Sequence, residues 1–146
     1  MVDILTETVI QRPRTLVAAF SANPDNAPRW YENIKAVEWV TAPPAVLGSK
    51  IAFVAHFLGR RLAYTYEIVA LDTGVRLVMR TAEGPFPMET TYTWEDAGDG
   101  ATRMTLRNRG EPAGFSRWVA PMMASAMRRA NGKDLAKLKA LLEAAS

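Results

Sequence analysis

The sequence predicts an α+β domain in which a curved antiparallel sheet of about seven strands wraps around a long C-terminal helix. Three observations predict it. Residues 50–109 form strand-length runs of alternating polarity, separated by short turn signals. After Gly110 the apolar residues recur with helical spacing, and the 146 residues, 49% hydrophobic and 23% charged, are typical of one domain covering residues 1–146.

The N-terminal part predicts one strand followed by two short helices. Residues 3–10, DILTETVI, mix β-branched residues with alternating polarity. Pro13 suits the first turn of a helix, which must stop before Pro24 because a residue preceding proline disfavours the α conformation. Asp25 or Asn26 is predicted to cap the second helix.

Six further strands are predicted, and most of them meet through short turns, so the sheet should be antiparallel with one apolar and one wet face. A bulge near Ala70 would reverse the alternation beyond it. The predicted strands are NIKAVEWV, IAFVAHFL, LAYTYEIVAL, RLVMRT, METTYTWE and TRMTLRNR.

Alternation along each strand predicts which side chains face the helix. In the fourth strand the tyrosines are placed inward because Glu67 belongs on the wet face. The inward residues are Phe53, Ala55, Phe57, Tyr64, Tyr66, Leu77, Met79, Thr81, Met88, Thr90, Tyr92, Trp94, Met104, Leu106 and Asn108.

The closing helix is predicted from Pro121 to about Ala144, which is roughly 36 Å long. Gly132 lies inside it and should cost about 1 kcal/mol relative to Ala. The apolar stripe is Met123, Met127, Ala130, Leu135, Leu138 and Leu142. Because methionine adapts to varied neighbours, the Met half is expected to face a ligand and the Leu half to pack against the sheet.

The choice of inward residues predicts a cavity, because aromatic and Met side chains suit varied apolar ligands better than a Leu and Val core would. The expected volume is roughly 300 to 1,000 Å³. The alternative is that the same residues fill a packed core. The predicted ligand-binding residues are Trp30, Phe53, Phe57, Tyr64, Tyr66, Met79, Met88, Tyr92, Met104, Asn108, Met123 and Met127.

No motif identifies a reaction, so the catalytic residues are left unassigned. The chain has no Cys and one His, which is too few ligands for a metal site, and no Gly-rich nucleotide loop, so neither a metal nor a cofactor is predicted. That histidine, His56, should point away from the cavity. If the protein is an enzyme, an acid or base is sought among Tyr64, Tyr66, Asn108 and Arg29.

Charge and hydropathy set the expected location and partners. The net charge of +3 is not clustered, so nucleic acid is not an expected partner. No apolar run reaches the roughly 18 residues of a membrane span, and the Cys-free sequence suits a reducing cytoplasm. Phe115, Trp118 and Val119 could form an exposed patch for a partner or for a second copy in a homodimer.

In residues as well as in element order, the sequence resembles the polyketide cyclase/dehydrase-like branch of the START-like, or SRPBCC, superfamily. The similarity lies in TETVIQRPRTLVAAFSANPDNAPRWYENI near the start, in YEIVALDTGVRLVMRT in the middle and in DLAKLKALLEAAS at the end. Pro13, Pro24 and Trp30 stand at recurrent places of that family. The resemblance implies the helix-grip fold.

Three functional alternatives are open, the first two implied by the resemblance and the third by the patch of Phe115, Trp118 and Val119. The first is a binder or carrier of a small hydrophobic molecule, such as a lipid, a polyketide-like compound or an aromatic metabolite. The second is a cyclase or dehydrase that uses the same cavity. The third is a protein-interaction module. Fold alone does not choose among them, because function depends on the site.

Overall fold

A strand, two short helices, six further strands and a long helix follow one another in the computed structural model. The structure describes residues 2–57, 59–83, 87–110 and 120–145. The elements are β1 (Val2–Ile10), α1 (Arg14–Ala22), a 3₁₀ turn (Pro24–Asn26), α2 (Ala27–Trp30), β2 (Ile34–Trp39), β3 (Lys50–Phe57), β4 (Arg60–Asp72), β5 (Arg76–Glu83), β6 (Met88–Asp96), β7 (Thr102–Gly110) and α3 (Ala120–Ala144).

The seven strands form one antiparallel sheet in the order β1-β7-β6-β5-β4-β3-β2. Each strand from β2 to β7 pairs with its neighbours in sequence, and β1 closes against β7. The register shifts between Ile68 and Ala70 of β4, where a bulge was predicted. The predicted α+β helix-grip architecture is therefore confirmed.

The 3₁₀ turn before α2 has a side-chain cap that was not predicted. The side-chain oxygen of Asn23 accepts a hydrogen bond from the Asp25 amide at 3.1 Å, whereas Asn26 makes no side-chain cap. Asn23 is extended, at φ −77° and ψ 113°, because Pro24 follows it. This conformation lets its side chain cap the 3₁₀ turn, whereas Asn26 occupies the N-cap position of α2, as predicted, but makes no side-chain hydrogen bond there.

The buried residues form two clusters along α3. Leu135, Leu138 and Leu142 belong to the larger one, together with aromatic residues of α2 and the sheet. Met123 and Met127 belong to the smaller one, with Val2, Ile4, Leu62, Tyr64 and Met88. The helix is thus divided into a Leu half in the main core and a Met half beside a separate group of side chains.

Trp94 tests the predicted orientation of β6. Its side chain is 2% exposed, and the indole N–H donates to the Ser21 hydroxyl of α1 at 3.0 Å. Trp94, Tyr92, Thr90 and Met88 are all buried, so the predicted inward row of this strand is confirmed.

Polar contacts hold the C-terminal half of α3 to the start of the chain. The Arg12 guanidinium donates to the Leu142 carbonyl at 2.7 Å, and the Lys139 ammonium donates to the Val9 carbonyl at 2.6 Å. The Gln11 amide donates to the Glu143 carboxylate at 2.8 Å.

No helix in the described residues is long and apolar enough to cross a membrane.

The outer face of the sheet carries ion pairs between neighbouring strands. Three arginines pair with carboxylates across β5 to β6, β7 to β6 and β7 to β1. The pairs are Arg80 with Glu89, Arg103 with Glu95, and Arg107 with Asp3. The three arginines therefore lie on the solvated face of the sheet.

Candidate functional site

A partly enclosed cavity of about 150 Å³ lies between the concave face of the sheet and α3. It is smaller than the predicted range, because large Tyr and Met side chains project into the space. Its wall is formed by Ser21, Ala22, Asn23, Pro24, Ala27, Tyr31, Asn33, Ile34, Phe53, Ala55, Leu62, Tyr64, Tyr66, Met79, Met88, Thr90, Tyr92, Asn108, Met123, Met127, Ala130, Asn131 and Asp134.

Most of the residues predicted to bind a ligand meet at this wall. Whether they contact a ligand remains a prediction. The residues brought together are Phe53, Tyr64, Tyr66, Met79, Met88, Tyr92, Asn108, Met123 and Met127. Trp30 and Met104 are fully buried in the larger core cluster and do not line the cavity. The side chain of Phe57 lies outside the described part of the chain.

The positions of Trp30 and Met104 have simple structural reasons. α2 ends at Trp30 and the chain becomes extended at Tyr31, so Trp30 lies in the main core while Tyr31, whose ring contacts the Trp30 ring, reaches the cavity. Met104 faces inward as predicted, but it pairs with Trp94 near the Leu half of α3. Asn108 lies four residues further along β7 and reaches the cavity.

Several polar residues of the wall were not among the predicted ligand-binding residues. Two of them lie on α3 at a regular spacing. Asn131 and Asp134 continue the helical spacing from Met127, at four and then three residues. The predicted stripe of α3 did not include these two residues because it was defined by apolar residues alone. A polar side chain on the buried face of a helix was the signal that could have identified them.

Two tyrosine hydroxyls meet at one side of the cavity. The hydroxyls of Tyr31 and Tyr92 are hydrogen-bonded at 2.5 Å, and the Trp30 ring lies 4.1 Å from Tyr31 and 5.8 Å from Tyr92 between centroids. Burial raises the pKa of both tyrosines well above the ordinary value. Both hydroxyls therefore remain protonated near neutrality, and because one of them donates to the other, one O–H of the pair is left to donate to a molecule in the cavity.

A second polar group runs across β4, β6 and β7. The Thr90 hydroxyl donates to the Asn108 side-chain oxygen at 2.6 Å, and it also bonds to the Tyr66 hydroxyl. Burial raises the pKa of Tyr66 to about 12, although the bond to Thr90 opposes that shift. These three side chains largely satisfy one another.

Asp134 supplies the one carboxyl group among the described residues of the wall. Its side chain is 2% exposed, and Oδ1 accepts a hydrogen bond from the Glu32 amide at 3.0 Å. Burial raises the pKa of Asp134 to about 6, while the bond from Glu32 and the charge of Lys137 lower it. The carboxyl group can therefore exchange a proton near physiological pH.

Other charged candidates lie away from the cavity. His56 is exposed, and Arg29 is exposed with its guanidinium 5.1 Å from the centre of the Phe20 ring. Within the described ranges, the wall contains no Lys, Arg or His. The predicted patch of Phe115, Trp118 and Val119 falls outside the described residues.

Solved structures share this architecture along almost the full chain. The protein TTHA0849 from Thermus thermophilus is 20% identical over 99% of each chain, with a TM-score of 0.85. The ZhuI aromatase/cyclase from Streptomyces sp. R1128 is 16% identical over 97% of this chain and 93% of that one, with a TM-score of 0.81. A START superfamily protein from Mycobacterium smegmatis is 12% identical over 99% and 96%, with a TM-score of 0.73.

No curated protein sequence matches the chain. A family model does: the one described as "Polyketide cyclase / dehydrase and lipid transport" matches residues 1–143. This match shows that the chain belongs to the polyketide cyclase/dehydrase and lipid transport family.

Proposed function

We propose that the chain binds or carries a small hydrophobic molecule in the cavity between the sheet and the Met half of α3. The observation that carries this proposal is a space lined by aromatic and Met side chains inside an otherwise packed core. A cavity of about 150 Å³ matches the size of engineered apolar cavities that bind benzene. The occupant is therefore an aromatic ring or a similar part of a lipid, polyketide-like compound or aromatic metabolite.

The energetic cost of the space supports a functional reason for it. Closed cavities destabilise proteins by about 24 cal/mol per Å³, so this partly open space of about 150 Å³ costs at most about 4 kcal/mol, and only in the part that stays dry. This is a large fraction of the stability of a typical domain. A bound apolar molecule would restore the missing contacts and stabilise the folded state.

Titration with the neutral fluorescent probe N-phenyl-1-naphthylamine tests this proposal, because its phenyl ring matches the cavity while its naphthyl group can stay at the open side. Wild type should bind it saturably at one site. Met79→Trp should weaken binding at least about tenfold with little loss of stability, because the larger ring enters the cavity. Met104→Trp is the matched control: this buried residue lies off the wall, so overpacking should cost about 1 to 3 kcal/mol. No saturable binding by wild type, with both variants destabilised, would contradict the proposal.

A second candidate function is an intramolecular cyclisation with loss of water. The observation that favours it is a buried carboxyl group with a pKa near 6, facing an apolar cavity beside two tyrosine hydroxyls. A carboxylate in this setting can remove a proton next to a ketone, and a tyrosine hydroxyl can donate to the second ketone as the new carbon–carbon bond forms. The ring product then loses water.

The conversion of 2,6-heptanedione to 3-methylcyclohex-2-enone and water tests this second candidate. Wild type should accelerate it, and Asp134→Asn should remove most of the acceleration while leaving binding of the fluorescent probe intact. Equal rates with and without wild-type protein would exclude this reaction for this substrate and leave the binding proposal standing.

A further inference from the structure

Two buried polar side chains stand one turn apart on the cavity face of α3. Asn131 is 6% exposed and Asp134 is 2% exposed, and both form part of the wall. Their apolar neighbours on the same helix face are Met127 and Ala130. Burying polar groups in an apolar wall costs free energy unless they find partners, so their hydrogen bonds can be counted one by one.

Asn131 has a donor without an acceptor. Its Nδ2 atom is fully buried and makes no hydrogen bond among the described residues. The same holds for the Trp30 indole nitrogen and the Arg109 Nε atom, but neither of those residues lines the cavity. The Asn131 amide is therefore the unpartnered buried donor that a molecule in the cavity can reach.

Asp134 has one carboxylate oxygen that accepts no hydrogen bond from the described residues. Oδ1 is bonded to the Glu32 amide, which holds the carboxyl group in place. In the part of the chain that the structure describes, no hydrogen bond to Oδ2 is present, and this oxygen is not among the fully buried, unpartnered atoms. The second oxygen thus keeps some accessible surface, on a residue that forms part of the cavity wall.

We propose that Asn131 and Asp134 together bind a hydroxyl group of the ligand, which accepts from the Asn131 amide and donates to Asp134 Oδ2. This inference rests on the proposed binding function. Side chains three residues apart on a helix lie about 5 to 6 Å apart at Cβ, a separation that one oxygen atom can bridge with two ordinary hydrogen bonds. The ligand class is a neutral aromatic or alicyclic alcohol or phenol.

The charges around the cavity argue against an anionic ligand. The wall has the Asp134 carboxyl group and no Lys, Arg or His among the described residues. The nearest cation that acts on Asp134 is Lys137, which is exposed on the outer side of α3. A carboxylate or phosphate would lose its hydration and gain no compensating charge, so free fatty acids and phosphate esters are disfavoured.

Four probes of nine heavy atoms each separate the contributions of hydrogen-bond donation, hydrogen-bond acceptance, apolar contact and negative charge to binding. 4-Ethylphenol can donate and accept, 4-methylanisole can only accept, 4-ethyltoluene can do neither, and benzoate is an anion. In a purely apolar cavity 4-ethyltoluene would bind most tightly, because it is the least hydrated. We expect the opposite order by calorimetry at about pH 8: 4-ethylphenol about tenfold tighter than 4-ethyltoluene, 4-methylanisole between them, and no saturable benzoate binding.

Variants of Asn131 and Asp134 test whether these two residues cause the preference for 4-ethylphenol. Asn131→Leu should weaken 4-ethylphenol about fivefold or more and leave 4-ethyltoluene within about twofold. Asp134→Asn keeps an oxygen for the Glu32 amide but removes the charge, so it should reduce the preference for 4-ethylphenol over 4-methylanisole and admit benzoate. Lys133→Gln, on the exposed face of the same helix, is the matched control and should change none of these ratios.

The outcomes distinguish this inference from the function on which it rests. If 4-ethyltoluene binds wild type more tightly than 4-ethylphenol, or if Asn131→Leu and Asp134→Asn leave the ranking unchanged, the hydroxyl site is wrong although the cavity binds apolar molecules. The hydroxyl site is also wrong if the fluorescent probe binds and all four small probes fail. If neither the fluorescent probe nor the small probes bind, the proposed function itself fails.

Discussion

Asp134 shows how one buried residue can serve both the fold and the site. Its bond to the Glu32 amide ties the end of α2 to α3, while its burial keeps the carboxyl group out of water. Burial raises its pKa to about 6, so the folded state holds a proton that the unfolded chain has already released. The residue therefore couples stability to pH.

Asp134→Asn is expected to change that coupling in a defined direction. Between the ordinary pKa of 3.8 and the folded pKa of about 6, wild type loses stability as pH rises, by up to about 3 kcal/mol. The variant lacks this loss. The difference in unfolding free energy, variant minus wild type, should rise across that window and level off above about pH 6.

Urea denaturation at a series of pH values measures this difference. Asp99→Asn, at an exposed position in the turn before β7, is the control and should follow wild type closely. Parallel profiles for wild type and Asp134→Asn would show that the carboxyl group is not desolvated by folding.

At the residue scale, strand alternation identified most of the strand residues that line the cavity. The apolar pattern of α3 identified Met123 and Met127 but not the polar residues of the helix that line it. Tyr64, Tyr66 and Asn108 reach the cavity because each strand places alternate residues on one face. Alternation indicates which face of the sheet a side chain lies on, but not how close it is to the cavity along the strand. For this reason Met104, which faces inward but lies in the core, was also predicted to bind the ligand. Asn131 and Asp134 were missed because their role depends on tertiary burial, which residue type alone does not indicate.

α3 combines a rigid half and an adaptable half. Leu135, Leu138 and Leu142 pack into the main core, where Arg12 and Lys139 fasten the end of the helix to β1 and the turn that follows it. Met123 and Met127 face the cavity. Stability and binding should therefore separate along one helix.

Leu138→Ala and Met127→Ala test this separation. Leu138 is 0% exposed, so its truncation should cost about 2 to 5 kcal/mol and leave the affinity of the fluorescent probe within about threefold. Met127→Ala should enlarge the cavity and alter affinity or selectivity more than Leu138→Ala does. Chemical denaturation and probe titration of both variants give the comparison, and equal effects on both properties would contradict the division.

Gly132→Ala is expected to stabilise α3. Gly132 is exposed in the middle of the helix, and an added Cβ would meet no atom within 4 Å. Alanine should therefore raise the free energy of unfolding by about 1 kcal/mol. A destabilised Gly132→Ala variant, measured by urea denaturation, would show that the helix needs glycine here for a contact beyond the described residues.

Element boundaries were largely predictable because the proline positions and the hydrophobic period agree. Pro13 and Pro24 delimit α1, and the change from alternation to helical spacing marks the passage from β7 to α3. Asn26 does occupy the N-cap position of α2, but the side-chain cap that Asn23 makes on the 3₁₀ turn was not predicted, because it depends on the extended backbone of Asn23.

At the scale of the whole molecule, the sheet and α3 enclose a cavity at the Met end of the helix and a packed core at the Leu end. Composition and pattern predicted this arrangement, because an antiparallel sheet with one apolar face needs a helix to cover it. The cavity volume was overestimated. Volume depends on how far each tyrosine and methionine reaches inward, and those conformations follow from packing rather than from sequence spacing.

The methionines provide the most direct test of the central claim that the cavity binds an apolar molecule. Met79, Met88, Met123 and Met127 line it, whereas Met104 lies in the packed core and Met122 is 72% exposed. Methyl NMR of protein labelled with ¹³C-methyl methionine should show the signals of the four lining residues shifting together and saturably as 4-ethylphenol is added. The Met104 and Met122 signals should remain near their free positions. Saturable shifts at Met122 alone, or no shift at the four lining residues, would contradict ligand binding in this cavity.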